Sequence, residues 1–119
     1  MSFSMTTEAV RRREKTVTRR LGWWNLKPGT VLQAVEKAQG LKKGEHVKPI
    51  CLIRVVKVSS EGLYQIDNRE LHSGNEEVRR EGFPDLSIYE FIDMFCKANH
   101  LRSSAASVNR IEFEYVDER

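Results

Sequence analysis

Arg13-Glu14-Lys15-Thr16-Val17-Thr18-Arg19-Arg20 sets a lysine, two threonines flanking a valine, and three arginines within eight positions. Branching at Cβ restricts side-chain rotation in a helix and suits a pleated surface, so Thr16-Val17-Thr18 predicts an extended segment over 15–20. In a strand Thr16, Thr18 and Arg20 share one face and Val17 and Arg19 the other. With Val17 turned to a core, Thr18 and Arg20 face a groove. Lys15 joins them only from the turn before the strand, because strict alternation puts it opposite. The plainer reading is a short edge strand defended by charge.

Upstream, residues 2–5 read as a first strand. Thr6 then serves as the N-cap of a short helix, with Glu8 in its first turn, running to about Arg13 and ending in three arginines where the helix dipole favours cations. Arg11, Arg12, Arg13, Lys15, Arg19 and Arg20 are therefore expected close together in space. Downstream come Trp23 and Trp24, which either cap the core or offer a stacking surface to a base. Pro28-Gly29 then makes a turn, since glycine accepts the positive φ of a type II turn. A strand follows over 30–35, and 39–48 reads as a basic loop.

The longest strand is expected over 49–58, with apolar residues on both faces suggesting burial on both sides. Glu61-Gly62 reads as a turn and 63–66 as a short partner strand, joined closely enough to prefer antiparallel pairing. Asn75 is a fair N-cap for a one- to two-turn helix stopped by Gly82. Ser87 with Glu90 has capping-box spacing, and Leu86 with Phe91 supplies the hydrophobic staple. From there Ile88, Phe91, Ile92, Phe95 and Cys96 form one apolar helical face, a core stripe. After a small-residue loop over 102–107, a last strand over 108–116 points Ile111, Phe113 and Tyr115 inward and Glu112 and Glu114 outward. The order of elements predicts a single α+β domain over 1–119, a mainly antiparallel barrel of about five to six strands flanked by two to three short helices.

Composition is that of one ordinary globular domain: 119 residues, 39% hydrophobic and 31% charged, with no apolar run of membrane-spanning length. The first ten residues lack the apolar core of a secretory signal, so a cytoplasmic location is expected. Cys51 and Cys96 read as reduced core residues. His46, His72 and His100 have no metal-ligand spacing, and no metal or other cofactor is expected. Net charge is +3 and unevenly spread: residues 1–60 hold 13 Lys+Arg against 4 Asp+Glu, and residues 61–119 hold 7 against 13. A basic first half suits attraction to phosphate. The alternative is that the two halves interleave and neutralise each other.

Lys15-Thr16-Val17-Thr18-Arg19-Arg20 resembles the G-x-K-x-x-T-x-R signature of ASCH domains, small members of the PUA-like β-barrel superfamily. Lys15, Thr18 and Arg20 match its Lys, Thr and Arg, while Arg13 stands at the glycine position. Glu81-Gly82-Phe83, following a short helix, resembles the E-G-F segment of the same family. The resemblance implies a PUA-like barrel and association with RNA. In members that hydrolyse the acetyl amide of N4-acetylcytidine, it implies Lys15 as proton acceptor, Thr18 as nucleophile and Glu81 as proton donor. Read from the residues alone, Glu81 is equally a solvated last-turn residue or a partner of the arginines.

Two functions are carried forward, with RNA or a modified nucleoside as the expected partner. In the first, a basic cleft binds RNA or a nucleoside: Arg11, Arg12, Arg13, Arg19 and Arg20 hold phosphates or a base edge, and Trp23, Trp24 or Tyr64 stacks a base. In the second, an amidohydrolase uses a lysine whose pKa is lowered by desolvation or neighbouring cations to activate a threonine. A ribonuclease is a weaker third option, because no histidine pair supports acid–base cleavage. Nothing specific argues for a protein-interaction domain.

Overall fold

The structure, a computed structural model, describes residues 1–38, 40–67 and 73–117; Gln39 and His72 of the sequence reading lie outside them. Among these residues four strands form one antiparallel sheet in the order β1-β4-β3-β2, curled into a half-barrel. They are β1 (Val17–Arg20), β2 (Val31–Val35), β3 (Pro49–Gly62) and β4 (Ser107–Val116). Among the described residues three α-helices accompany them: α1 (Thr7–Arg11), α2 (Ser73–Arg80) and α3 (Ile88–Ala98).

The expected five to six strands become four among the described residues, for two physical reasons. The segment 2–5 makes a single parallel bridge, Ser2 with Val35, and then turns into α1. Leu63–Ile66 coils into a 3-10 turn. A short apolar run does not by itself distinguish the two conformations. Here Leu63 and Ile66 are both fully buried in one core, which a three-residue period allows and a strand's alternation forbids. The chain does not turn at Glu61-Gly62 either. β3 runs on to Gly62, pairing with β4 as far as Gly62 with Ser107.

β3 is not buried on both faces. Ile53 and Val55 are buried, whereas a register shift between Val55 and Lys57 leaves Val56 out of the pairing and exposed, as a bulge does. Along β4, Ile111 and Phe113 are buried and Glu114 is exposed as the alternation predicts, but Asn109 and Arg110 are buried as well. α3 follows its sequence signals. The Ser87 hydroxyl accepts from the Glu90 N–H at 3.1 Å and the Glu90 carboxylate accepts from the Ser87 N–H at 2.9 Å, satisfying two otherwise orphaned donors.

Apolar packing falls into two clusters. Leu63, Ile66, Val78, Phe91, Phe95 and Val108 gather under α3, with Leu86 and Cys96 packed against them. Phe3, Val10, Ala34, Ile53 and Phe113 gather under α1, with Cys51 against them. Among the described residues neither Cys51 nor Cys96 forms a disulfide, and both are half-buried. Among the described residues no helix is long and apolar enough to cross a membrane.

Candidate functional site

Lys15 lies in the irregular segment just before β1, and the backbone there is held from three sides. The Lys15 carbonyl accepts from the Tyr115 hydroxyl at 2.6 Å, the Lys15 N–H donates to Ala9 at 3.3 Å, and the next N–H, on Thr16, donates to the Arg80 carbonyl at 2.9 Å. This fixes Lys15 with its side chain inward, 3% exposed. Its ammonium donates to the Glu81 backbone carbonyl and, at 3.1 Å, to Glu81 Oε1.

Glu81 is delivered by the end of α2. Gly82 closes that helix at φ +98°, a region that favours glycine, and a Cβ there would lie 3.1 Å from Ala9 Cβ and from Thr6 Cγ2. Glycine is therefore required twice, for the turn and for the approach of α2 to α1. The Glu-Gly-Phe segment thus has a mechanical reason to read as it does.

Lys15, Thr18, Arg19, Arg20 and Glu81 line one cleft of about 370 Å³, walled by Ser2–Thr6 on one side and by Phe83, Met94, Phe95 and Asn99 on the other. Thr18 is buried and Arg20 nearly so. Arg20 Nε donates to Thr18 Oγ1 at 3.0 Å and Arg20 Nη2 to the Ser2 carbonyl at 2.7 Å, while its guanidinium sits 4.8 Å from the Phe3 ring centroid. The Lys15 ammonium lies 6.0 Å from the Phe83 ring centroid. An aromatic face from each apolar cluster thus flanks the charged centre.

Behind the cleft is a buried ionic network. Arg19 Nη1 donates to Glu81 Oε2 at 2.8 Å and Arg19 Nη2 to Glu77 Oε2 at 2.7 Å. Arg110 grips the same Glu77 with two nitrogens, at 3.0 and 2.7 Å. Arg80 bridges from Glu112 at 2.8 Å to Thr16 Oγ1 at 3.0 Å. Burial penalises the Glu77 carboxylate, yet the hydrogen bonds from Arg110 and Arg19 outweigh it and hold its pKa at about 2. Burial pushes the Lys15 ammonium below its ordinary value; Glu81 opposes this, and Arg20 and Arg19 add to it. Such an amine gives up its proton more readily than a surface lysine.

The expected cluster of six cations is divided. Arg11 is exposed, with partners Glu8 and, at 3.6 Å, Glu36; Arg12 is exposed. Arg13 is exposed at φ +60°, 3.0 Å from Asp117 and 5.6 Å from the Tyr115 ring centroid. Its residue type departs from the family glycine, but its backbone takes the conformation that glycine favours. The two charged halves of the chain do interleave, through Lys15–Glu81, Arg19–Glu77 and Arg54–Glu114.

Trp23 and Trp24 are 44% and 52% exposed, not core, and neither lines the cleft. The buried Asn109 explains their outward position: its Nδ2 donates to the Gly22 carbonyl at 3.2 Å and the Trp23 carbonyl at 2.8 Å, pinning the loop with Trp23 at φ +59°. Sequence reasoning missed Glu77 and Arg110, the partners behind the cleft, and the wall formed by 2–6.

No family model and no curated protein matches the chain. Solved structures do. An ASCH domain from Lactobacillus crispatus JV V101 is 18% identical over 93% of this chain and 70% of that one, with a TM-score of 0.56. A protein of family DUF984 from Enterococcus faecalis V583 is 17% identical over 96% of this chain and 71% of that one, with a TM-score of 0.55. The fold of this chain is of the ASCH type.

Proposed function

We propose that the cleft binds a nucleoside, free or as an unpaired residue of RNA. The observation that carries this reading is the meeting of Lys15, Thr18, Arg20 and Glu81 with Phe3 and Phe83 in one concavity of about 370 Å³. That volume lies in the range of small-molecule sites, which pair apolar walls with a few fixed polar groups. A nucleobase has faces for the rings and an edge of donors and acceptors for the polar groups. Calorimetric titration with cytidine and N4-acetylcytidine tests the reading. Saturable one-to-one binding is expected, weakened at least about tenfold in Lys15→Met; a wild-type protein that binds neither overturns it.

A second reading, amide hydrolysis on the same ligand, is favoured by the depressed Lys15 ammonium. In its neutral form Lys15 takes the Thr18 hydroxyl proton, and the oxygen attacks the acetyl carbonyl. Arg20 Nε already occupies an acceptor lone pair of that hydroxyl, leaving its proton available. The proton passes from Lys15 to Glu81, which its ammonium contacts at 3.1 Å, and Glu81 delivers it to the departing amine. Water then releases acetate from Thr18. Cytidine release by wild type, lost in Thr18→Val with binding retained, is the expected result. Equal release by Thr18→Val removes the nucleophile from the scheme.

A further inference from the structure

Among the described residues β1 is an edge strand, with β4 on one side and no strand on the other. The Phe113 N–H donates to the Thr16 carbonyl at 2.9 Å, and in the same register Thr18 lies opposite Ile111 and Arg20 opposite Asn109. Alternate residues of an antiparallel pair exchange backbone hydrogen bonds, so Thr16, Thr18 and Arg20 turn their carbonyls to β4. Val17 and Arg19 turn their backbone groups to the open edge. The cleft runs along that edge, because side chains from both faces of β1 line it, Thr18 and Arg20 from one and Arg19 from the other. The first backbone N–H after Thr18, that of Arg19, therefore points to the cleft side of the strand.

Arg20 places a second donor there. Lys15, Arg19, Arg80 and Arg110 each lie within 3.1 Å of a carboxylate. Arg20 has no carboxylate partner among the described residues: its Nε holds Thr18 Oγ1, its Nη2 holds the Ser2 carbonyl, and Phe3 lies against the guanidinium. Two hydrogen bonds and a ring fix its position, and no neighbouring side chain neutralises its charge. A cation held away from water attracts a nearby negative charge more strongly than one at the surface.

We infer that the Arg19 backbone N–H and the Arg20 guanidinium form an oxyanion hole for the attack by Thr18, which makes Arg20 a catalytic residue. This rests on the hydrolysis reading of the cleft. As the Thr18 oxygen bonds to the acetyl carbon, its proton goes to Lys15 and the carbonyl π pair moves onto the carbonyl oxygen. That oxygen, now anionic, accepts from both donors. The pair then re-forms C=O as the C–N bond breaks, and the nitrogen leaves with the proton that Glu81 delivers. Water attacks the acetyl-threonine through the same oxyanion and frees acetate. Donors fixed in advance need no reorganisation when charge develops. The residue after the nucleophile supplies such an N–H in α/β-hydrolases, and the Nε contact with Thr18 keeps the Arg20 guanidinium beside the reacting carbon.

The experiment uses N4-acetylcytidine and its N4-methylphosphonyl counterpart, whose phosphorus is tetrahedral and anionic like the adduct. Wild type is expected to bind the phosphonyl compound about a hundredfold more tightly than the acetyl one, because a site shaped for the adduct favours its mimic. Equal affinities overturn the inference, and this arm needs no variant. In Arg20→Met, kcat is expected to fall about a hundredfold with KM changed less than about threefold, the pattern of a group that acts in the transition state alone. The advantage of the phosphonyl compound disappears in the same variant. Guanidinium ion added to Arg20→Ala is expected to restore part of the rate, and to leave Thr18→Val inactive. An Arg20→Met protein, folded by circular dichroism, that keeps its kcat overturns the role, and so does one in which KM alone rises. Absence of cytidine release from wild type is the separate result that removes the hydrolysis reading, and the oxyanion hole with it.

Discussion

Arg11, Arg12 and Arg13 lie within ten positions of Lys15, Arg19 and Arg20, and side-chain chemistry alone does not separate the two groups. The first group is in water, and Arg11 and Arg13 meet carboxylates that are themselves exposed. In the second, Lys15 and Arg19 are 3% exposed and each meets a buried carboxylate. An exposed ion pair contributes about 0–1 kcal/mol because water and salt screen it. A buried one costs much desolvation, so losing one partner leaves a charge with nothing to offset it. The same residue types therefore have opposite consequences, and the boundary between them is the single turn at 13–16.

The sharpest way to break this contrast is Glu77→Gln. It strips the carboxylate that Arg19 and Arg110 share, and a loss of about 3–5 kcal/mol in urea unfolding is expected. Arg11→Ala is the matched exposed change and should stay within about 0.5 kcal/mol. Equal effects from the two would erase the distinction.

Acid sharpens the same point. Glu77 has its folded pKa depressed to about 2, so between there and its ordinary value the unfolded chain binds more protons. Its stabilisation, on the order of 3 kcal/mol, is thus present above about pH 4.5 and lost as pH falls toward 2. Stability measured across this window should fall less steeply in Glu77→Gln.

Lys15→Met should be milder, within about 2 kcal/mol, because Arg19 still holds Glu81 and the thioether fills the space. The sign of its pH dependence is opposite to a favourable pair's. A lysine with a lowered folded pKa leaves the folded state with fewer protons than the unfolded one between that value and 10.5. Wild type should therefore gain stability relative to Lys15→Met as pH rises through that window. A gain toward lower pH would show that Glu81, not burial, dominates the lysine.

The smallest expected effect is on the exposed side. Arg13 holds a left-handed backbone at φ +60°, which costs an L-residue about 1 kcal/mol relative to glycine. Arg13→Gly also loses the contacts with Asp117 and Tyr115, so thermal unfolding should rise or stay level by less than about 1 kcal/mol. A clear loss would show those contacts to outweigh the strain.

Local patterns were read well where the cause is local. The capping of α3, the placement of Val17 inward and Thr18 and Arg20 toward the cleft, and the entry of Lys15 from the preceding turn all follow from neighbours within four residues. Glu81 was legible only through the Glu-Gly-Phe resemblance, and the structure supplies the reason in the crowding of Gly82 against Thr6 and Ala9. Leu63–Ile66 was misread, and the two tryptophans were left open between core and surface, because their states depend on distant groups: the core beneath 63 and 66, and Asn109 beneath the 22–23 carbonyls.

Periodicity and capping chemistry thus specify the pieces of this protein, since those forces act over one turn or one pleat. Which arginine is buried and which is wet is another matter. Arg19 and Glu77 are 58 residues apart in the chain and 2.7 Å apart in space, and neither residue carries a local mark of the other. Only the assembled sheet, with α2 laid across β1 and β4, removes the water that would otherwise make the two groups of cations alike.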